Sequence, residues 1–309
     1  MTHFENITNC LGAKTGRYFS NGFKSIDISY SDIIYSNNIL SANVKVGFNA
    51  NWSKKNNESL IPHLGTTEFV SIAGVISQQL LKEEMKFSDE EIASSWINRF
   101  SCKTRKCTNT DYNNIQVSGK IVSTIDNNKY SQTCINVKID VVQVTVYVRH
   151  SKNIASKDDK CESKNYFNSL YHNGYKQREH FISNVVLDDD KLTSWGDVIM
   201  KDENIQCNNG IGAKYSGMMI TDFILVTGQL TQALIYNMNN TKREENGNMW
   251  LREIDVWSDA PPTDRNCESL IKFNNVNTLN MNNEVWQSVE LSGMLGNMNS
   301  KIKVAQRLN

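Results

Sequence analysis

Apolar and polar residues alternate with a period of two along several stretches of the chain. In one clear stretch, mostly polar residues separate Leu40, Ala42, Val44, Val46 and Phe48. Such alternation predicts strands that bury one face, and turn-forming residues between the stretches predict antiparallel connections. We therefore expect strands at residues 25–30, 40–48, 115–125, 134–148, 181–187, 192–200, 250–257, 272–279, 285–295 and 302–306.

Two segments break this pattern because they are apolar on nearly every side. They span residues 67–81 and 221–235, and each predicts a helix that the rest of the fold encloses. Five of their fifteen aligned residues are identical, at an offset of 221 − 67 = 154 in a chain of 309 residues. This repeat predicts two copies of one fold, end to end. The alternative is that two buried helices resemble each other in composition alone.

The predicted elements follow the same order in both halves: a hairpin, a long buried helix, then antiparallel strands. In the first half, Ser88 and Glu91 form a capping box for a short helix that we expect to continue through Trp96. Small residues in the long helices, Gly74 and Gly228 among them, would let the backbone of a surrounding sheet approach closely. An antiparallel sheet wrapped around one long helix is the hot-dog fold.

The predicted fold class is therefore α+β, a tandem double hot-dog with two antiparallel sheets, each wrapped around one long buried helix. The first hot-dog domain spans residues 1–150 and the second spans 178–309. A linker rich in Lys, Asn and Ser, residues 151–177, connects them. We expect the halves to pair like the dimer of single-copy hot-dog proteins, with Gly74 and Gly228 at equivalent places.

Composition excludes several classes of protein. Lys and Arg together number 33, as do Asp and Glu, so the basic excess typical of nucleic-acid binding is missing. No apolar run approaches the roughly 18 residues of a membrane span. The seven cysteines lack the spacing of a metal site. We therefore expect free thiols, no metal and a cytoplasmic location, and we interpret the acids at 188–190 as a charged turn.

Several motifs within residues 11–80 carry a family resemblance. They are Arg17-Tyr18-Phe19 followed by Gly22-Phe23, the run Asn51-Trp52-Ser53-Lys54-Lys55, and Pro62-His63-Leu64 followed by Thr66 or Thr67 and then Glu68. With these motifs the chain resembles the avirulence protein D (AvrD) family, enzymes of syringolide-type acyl-sugar lactone synthesis. The family pattern has Asp where this chain has Glu68, which changes how far the carboxylate reaches.

The resemblance implies condensation of a 3-oxoacyl thioester with a keto-sugar such as xylulose, giving a butenolide-type lactone. The acyl group would arrive on an acyl carrier protein or on coenzyme A. No membrane or nucleic-acid partner is expected, and a homodimer is left open. Acyl transfer to a sugar hydroxyl, followed by bond formation from the acidic carbon between two carbonyls, needs general bases and polarised carbonyls. No cofactor is therefore expected.

The catalytic candidates are His63, Glu68 and Asp222. His63 precedes the first long helix and Glu68 falls in its first turn, so both side chains can share one cavity. Asp222 occupies the place of Glu68 in the second copy, whereas Gly217 stands in the place of His63. Desolvation at the start of a buried helix raises the pKa of a carboxylate and makes it a better base. The alternative is a structural acid that complements the helix dipole.

The substrate-binding candidates are Arg17, Trp52 and Lys54. Lys54 would meet the phosphate of a phosphopantetheine arm or an acidic carrier surface, and Trp52 would stack on a sugar. A solvated loop anchored by one tryptophan explains the same residues. Two other functions stay open: an acyl-thioester dehydratase or thioesterase on the same fold, and a non-catalytic protein that binds an acyl chain or a small lactone. Nucleotide-binding, serine-hydrolase and zinc-protease motifs are absent from the sequence.

Overall fold

The computed structural model describes residues 1–49, 52–55, 58–104, 111–152, 169–202, 209–281 and 283–308. Its helices are α1 (Ile7–Leu11), α2 (Thr66–Glu83), α3 (Asp89–Ser94) and α4 (Ile220–Met238), with short 3-10 helices at Gly22–Ser25, Gly174–Gln177 and Arg243–Glu245. Its strands are β1 (Thr2–Asn6), β2 (Ile26–Ser36), β3 (Ile39–Phe48), β4 (Lys54–Lys55), β5 (Glu58–Ser59), β6 (Trp96–Lys103), β7 (Ile115–Asp126), β8 (Ser131–Ile139), β9 (Val142–His150), β10 (Arg178–Asp188), β11 (Thr193–Asp202), β12 (Met249–Ser258), β13 (Asn266–Met281), β14 (Glu284–Leu295) and β15 (Met298–Leu308).

The strand order of the main sheet repeats itself about the centre. From one edge inward it runs β2-β3-β7-β8-β9-β6, and on the other side, inward from the second strand, it runs β10-β11-β13-β14-β15-β12. The two sets correspond strand for strand and join where β6 pairs antiparallel with β12. β1 extends the second set beyond β10 and brings the sheet to 13 strands. The predicted double hot-dog fold is confirmed, and its two sheets are continuous across one strand pair.

Each half of the sheet wraps one long helix. Helix α2 packs against β3, β7, β8 and β9, and α4 packs against β10, β11, β13 and β14. Every residue of α2 from 67 to 81 is buried, which explains why its sequence lacks a polar face. The two helices also contact each other. The core therefore runs through both halves without a break, as one large cluster of buried apolar residues.

The two glycines of the repeat hold equivalent positions. Gly74 and Gly228 are each the ninth residue of their helix, since α2 begins at 66 and α4 at 220. A Cβ atom at Gly74 would lie 2.7 Å from the ring of Tyr171, and one at Gly228 would lie 2.9 Å from the ring of Phe19. Each aromatic ring thus crosses to the helix of the other half. A side chain at either glycine would displace the ring.

A second aromatic contact lies between the two crossing segments. The rings of Phe23 and Tyr175 stack with their centroids 5.9 Å apart, and both pack on Leu225. Phe23 belongs to the 3-10 helix before β2, and Tyr175 belongs to the equivalent helix before β10. The repeat therefore extends to the segments that lead into each hairpin, and these segments hold the halves together.

The short helix of the first half ends earlier than the sequence analysis expected. Helix α3 stops at Ser94, Ser95 is extended, and Trp96 begins strand β6, so the expected continuation through Trp96 is wrong. Strand β6 bonds to β9 on one side and to β12 on the other. Backbone pairing on both edges outweighs the weak local preference of these residues. Trp96 is the counterpart of Trp250 in β12, at the same offset of 250 − 96 = 154.

The proposed division at residues 1–150, 151–177 and 178–309 stays a prediction. Strand β1, at the start of the first range, pairs with β10 of the last range. Of the linker, residues 153–168 lie outside the described part of the chain, and Tyr171 in the remainder packs on α2. No helix in the described ranges combines the length and the apolarity needed to cross a bilayer.

Candidate active site

A cavity of about 470 Å³ lies between the two halves of the fold. This volume is within the range of about 300 to 1,000 Å³ that is typical of small-molecule sites. The first half contributes the loop before α2 and the first turn of that helix, and the second half contributes the start of β12 and one side chain of α4. Its wall includes Tyr18, Trp52, His63, Gln232, Arg243 and Trp250.

His63 stands in the cavity wall between two indole rings. Its ring centroid is 5.1 Å from that of Trp52 and 4.7 Å from that of Trp250. The Nδ1 atom is 3.2 Å from the carbonyl oxygen of Ile61, and because a carbonyl only accepts, Nδ1 carries the proton. Burial lowers the pKa of His63, so the imidazole is neutral at neutral pH. Its Nε2 makes no hydrogen bond with any described residue and can accept a proton.

Glu68 is fully buried behind this wall and does not line the cavity. The Tyr18 hydroxyl donates to its carboxylate at 2.7 Å, and the Gly65 backbone N–H donates at 2.7 Å. Burial raises the pKa of Glu68, although these two hydrogen bonds oppose the rise. Tyr18 does line the cavity, so its hydroxyl links the carboxylate to the cavity wall.

Asp222 occupies the same helical position in the second half but has different partners. Its carboxylate is ion-paired with Arg178 and is 2.8 Å from Nε2 of His180, and it also accepts the Met219 backbone N–H. Burial alone would raise the pKa of Asp222, but the charges of Arg178 and His180 hold it below its usual value. Asp222 does not line the cavity. The structure thus places His63 in the cavity wall and Glu68 behind that wall, so the two side chains do not both line the cavity as expected. It holds Asp222 in a separate buried ion pair.

Gly217 shows why the two halves differ at the position of His63. A Cβ atom at Gly217 would lie 2.4 Å from the backbone nitrogen of Thr263 and 2.5 Å from the carbonyl carbon of Pro262. The Gly217 N–H also donates to the Pro262 carbonyl at 3.1 Å. The chain after β12 therefore fills the space that a side chain would need. A side chain in the position of His63 therefore does not fit before the long helix of the second half.

The three substrate-binding candidates lie in different surroundings. Trp52 lines the cavity, and its indole N–H donates to the Leu60 carbonyl at 3.2 Å. Lys54 does not line the cavity, and its backbone N–H donates to the Gly16 carbonyl. Arg17 is buried behind the wall, where its Nε donates to the Ala13 carbonyl at 3.0 Å. Of the three, only Trp52 lies where a ligand in the cavity would contact it.

The sequence analysis missed four residues of the site: Tyr18, Lys55, Arg243 and Trp250. Tyr18 and Lys55 fall within the quoted motifs, next to Arg17 and Lys54, but nothing in the sequence shows which of two neighbours faces inward. The match of Trp250 with Trp96 across the repeat is a signal that could have identified it. Arg243 lies in the second half, outside any motif, and only the folded chain places it near the loop before α2.

Within the described ranges, no three His, Cys, Asp or Glu side chains gather in a way that could hold a metal ion. The four described cysteines, at positions 10, 102, 134 and 267, are free thiols. Cys107, Cys161 and Cys207 lie outside the described residues.

These features define a double hot-dog protein with a cavity between its halves. The sequence profile of the Pseudomonas avirulence D protein (AvrD) family matches residues 2–309, so the chain belongs to that family. No curated protein matches the chain in sequence.

Solved structures with a similar layout were also found. A conserved hot-dog protein of unknown function from Alicyclobacillus acidocaldarius is 5% identical, with 91% of this chain and 96% of that chain covered and a TM-score of 0.42. The tesB protein of Mycobacterium avium subs paratuberculosis is 6% identical, with 90% and 96% covered and a TM-score of 0.43. A putative thioesterase from Novosphingobium aromaticivorans is 7% identical, with 90% and 98% covered and a TM-score of 0.43. At these scores no activity is assigned from them, and the fold assignment rests on the topology above.

Proposed function

We propose that the chain is a condensing enzyme that joins a 3-oxoacyl thioester to a xylulose-like keto-sugar in this cavity and forms a syringolide- or butenolide-type lactone. Membership of the AvrD family supports this reaction class. The observation that carries it is the neutral imidazole of His63, which has Nδ1 hydrogen-bonded to a carbonyl and Nε2 without a partner among the described residues. An unprotonated Nε2 in a cavity wall is suited to general base catalysis.

In the first step His63 activates the sugar. Its Nε2 takes the proton of a sugar hydroxyl while the hydroxyl oxygen bonds to the thioester carbonyl carbon. The carbon–sulfur bond then breaks, and Nε2 returns the proton to the departing thiolate. The products of this step are a 3-oxoacyl sugar ester and a free thiol. The ring contacts with Trp52 and Trp250 fix the plane of the imidazole for both transfers.

In the second step the carbon between the two carbonyls loses a proton and attacks the keto group of the sugar. Glu68 is the proton acceptor, and it acts through Tyr18. The Tyr18 hydroxyl donates to Glu68, and the Tyr18 side chain is part of the cavity wall. In this step the hydroxyl passes its own proton to Glu68 as it receives one from the substrate. The raised pKa of Glu68 makes the carboxylate a stronger base for this transfer. The new alkoxide then takes the proton back from Glu68 through Tyr18 and becomes a hydroxyl group. Glu68 removes the second hydrogen of the carbon between the carbonyls by the same route, and the hydroxyl group leaves with a proton as water, which forms the butenolide double bond.

Asp222 was a candidate for the same step. Its ion pair with Arg178 and its lowered pKa make it a weaker base than Glu68. Its surroundings favour a role in holding the start of α4, where it accepts the Met219 N–H.

The test is incubation of the purified protein with 3-oxoacyl thioesters, with and without pentuloses, followed by mass spectrometry. We expect a product that combines acyl chain and sugar with loss of the thiol and of water. His63→Gln should lower its rate of formation by about 100-fold or more. His3→Gln, at an exposed histidine, is the matched control and should retain the rate.

Two outcomes would contradict the proposal. Release of free 3-oxo acid with no sugar incorporated would assign a thioesterase activity to the cavity. Tight binding of acyl thioester or lactone with no turnover would assign a binding protein.

A further inference from the structure

Three cationic side chains meet at the side of the cavity that the second half forms. Lys55 and Arg243 line the wall, and Arg17 lies behind them. The guanidinium of Arg243 donates to the carbonyl of Gly16, the residue before Arg17, at 3.0 Å. The Lys55 ammonium donates to the carbonyls of Asn246 and Gly247 at 2.5 and 2.9 Å, and its third N–H has no partner among the described residues.

These charges have little compensation within the described part of the chain. Arg17 is 3% exposed, and neither terminal nitrogen of its guanidinium has a hydrogen-bond partner there. Arg243 is 9% exposed and has one carboxylate nearby, that of Glu244 at 3.9 Å. The thiol of Cys10 lies near Arg17, but burial raises its pKa to about 11, so it brings no negative charge at neutral pH.

Another buried arginine in the same molecule shows the usual arrangement. Arg178 is ion-paired with Asp222 and lies 3.4 Å from a carboxylate oxygen of Asp202. A buried charge without such partners is costly. Burial and the charge of Arg243 lower the pKa of Arg17 to about 10 and that of Lys55 to about 8. Both shifts show that positive charges lie close together in a buried place. An anion between these groups would relieve it.

We propose that Arg243 and Lys55, with Arg17 behind them, bind a phosphate group of a substrate in the cavity. The identity of that substrate rests on the proposed function. Two of its substrates can carry the group: the keto-sugar, as a pentulose phosphate, and the thioester, through its phosphopantetheine arm. Guanidinium and ammonium groups both bind phosphate, the first with several donors in one plane and the second as a point charge.

Isothermal titration calorimetry tests the site without any turnover. Inorganic phosphate and a pentulose 5-phosphate should both bind, whereas the free pentulose should bind at least about 10-fold more weakly than its phosphate. Arg243→Gln and Arg17→Met should each weaken phosphate binding at least about 10-fold. Arg99→Gln is the matched control, because Arg99 is exposed and pairs with Asp255 away from the cavity wall. Equal binding by Arg243→Gln and the unmodified protein would overturn the proposal.

A thermal melt separates loss of the site from loss of the fold. Arg17→Met removes a buried charge that has no partner, so its Tm without phosphate should equal or exceed that of the unmodified protein. Addition of phosphate should raise the Tm of the unmodified protein and not that of the variant. A large fall in the Tm of Arg17→Met without phosphate would show that Arg17 is structural and would overturn its part in the site.

Product assays then distinguish the two sources of phosphate and keep the two proposals apart. The acyl group is offered as an N-acetylcysteamine thioester, which has no phosphate, and as a coenzyme A thioester. Faster turnover of the pentulose phosphate than of the free pentulose with the short thioester assigns the site to the sugar. A preference for coenzyme A, with no effect of sugar phosphate, assigns it to the thioester. Calorimetric binding with no product in any arm contradicts the proposed function alone, and product formation without any phosphate effect contradicts this inference alone.

Discussion

Matched substitutions at the two helix-start acids should have very different effects on stability. Glu68→Gln and Asp222→Asn each replace one carboxylate oxygen by the NH2 group of an amide. The two substitutions lie at the same position of α2 and of α4. Both side chains are fully buried and both accept the backbone N–H at the start of their helix. The difference lies in their other partners, which are the Tyr18 hydroxyl in one half and two basic groups in the other.

The magnitudes follow from what each variant leaves behind. Asp222→Asn leaves Arg178 buried without its closest carboxylate, and removing one partner of a buried ion pair costs about 3–5 kcal/mol. With a Tm change of roughly 2–4 °C per kcal/mol, its Tm should fall by about 6 °C or more. Glu68→Gln leaves no unpaired charge, and the amide oxygen still accepts the Gly65 N–H. Its unfolding free energy should change by about 1 kcal/mol or less, the net value of one hydrogen bond.

The pH dependence provides a second measurement with a defined sign. Because the folded state lowers the pKa of Asp222, its carboxylate stabilises the fold above the ordinary value of 3.8, and this contribution is lost as the pH falls through the folded-state pKa. The difference in unfolding free energy between the unmodified protein and Asp222→Asn should therefore become smaller in acid. Because the folded state raises the pKa of Glu68, ionisation costs stability above the ordinary value of 4.5. Glu68→Gln should gain stability relative to the unmodified protein as the pH rises through that region.

Urea denaturation and thermal melts of the three proteins between pH 3 and pH 8 provide the data. The product assay measures turnover of the same variants. Glu68→Gln should remain folded and yet form product about 100-fold more slowly or worse. Equal losses of stability in both variants at pH 7 would contradict this reasoning, because only Asp222 is expected to be held in a buried ion pair. Near-normal turnover of Glu68→Gln would show that its carboxylate only holds the start of the helix.

Two further predictions concern the cavity and the crossing rings. Product formation should be constant above neutral pH and fall at a pH below 6.5, the ordinary pKa of histidine, because the pKa of His63 is lowered and protonation fills Nε2. A rate that stays constant down to the lowest pH at which the protein remains folded would exclude His63 as the base. Gly74→Ala and Gly228→Ala should each destabilise the fold by about 1–3 kcal/mol in urea titrations, because the new methyl groups would overlap the rings of Tyr171 and Phe19. Combining Gly74→Ala with Tyr171→Ala should cost less than the sum of the single changes, and strict additivity would contradict the contact.

Local periodicity in the sequence was enough to predict the repeat, the two enclosed helices and most of the strands. The long helices are buried all round and the strands on one face, and both leave a pattern that can be read within about 15 residues. The equivalent positions of Gly74 and Gly228 could be predicted as well, because the spacing of residues within each helix depends only on the local sequence. His63 and Glu68 could be placed at the same end of α2 because five residues separate them, but the sequence did not show that only His63 lines the cavity.

Only the tertiary structure decided the features that join distant parts of the chain. The β6–β12 pair makes two sheets into one, and it turned a segment expected to be helical into a strand at Trp96. The hydrogen bond from Tyr18 to Glu68 and the meeting of Arg243 with Arg17 and Lys55 depend on contacts across 50 and about 190 to 230 residues. Such contacts leave no periodic trace, because each depends on where the folded halves place one side chain. Identical helix positions therefore hold a buried carboxylate bonded to the Tyr18 hydroxyl in one half and a buried ion pair in the other.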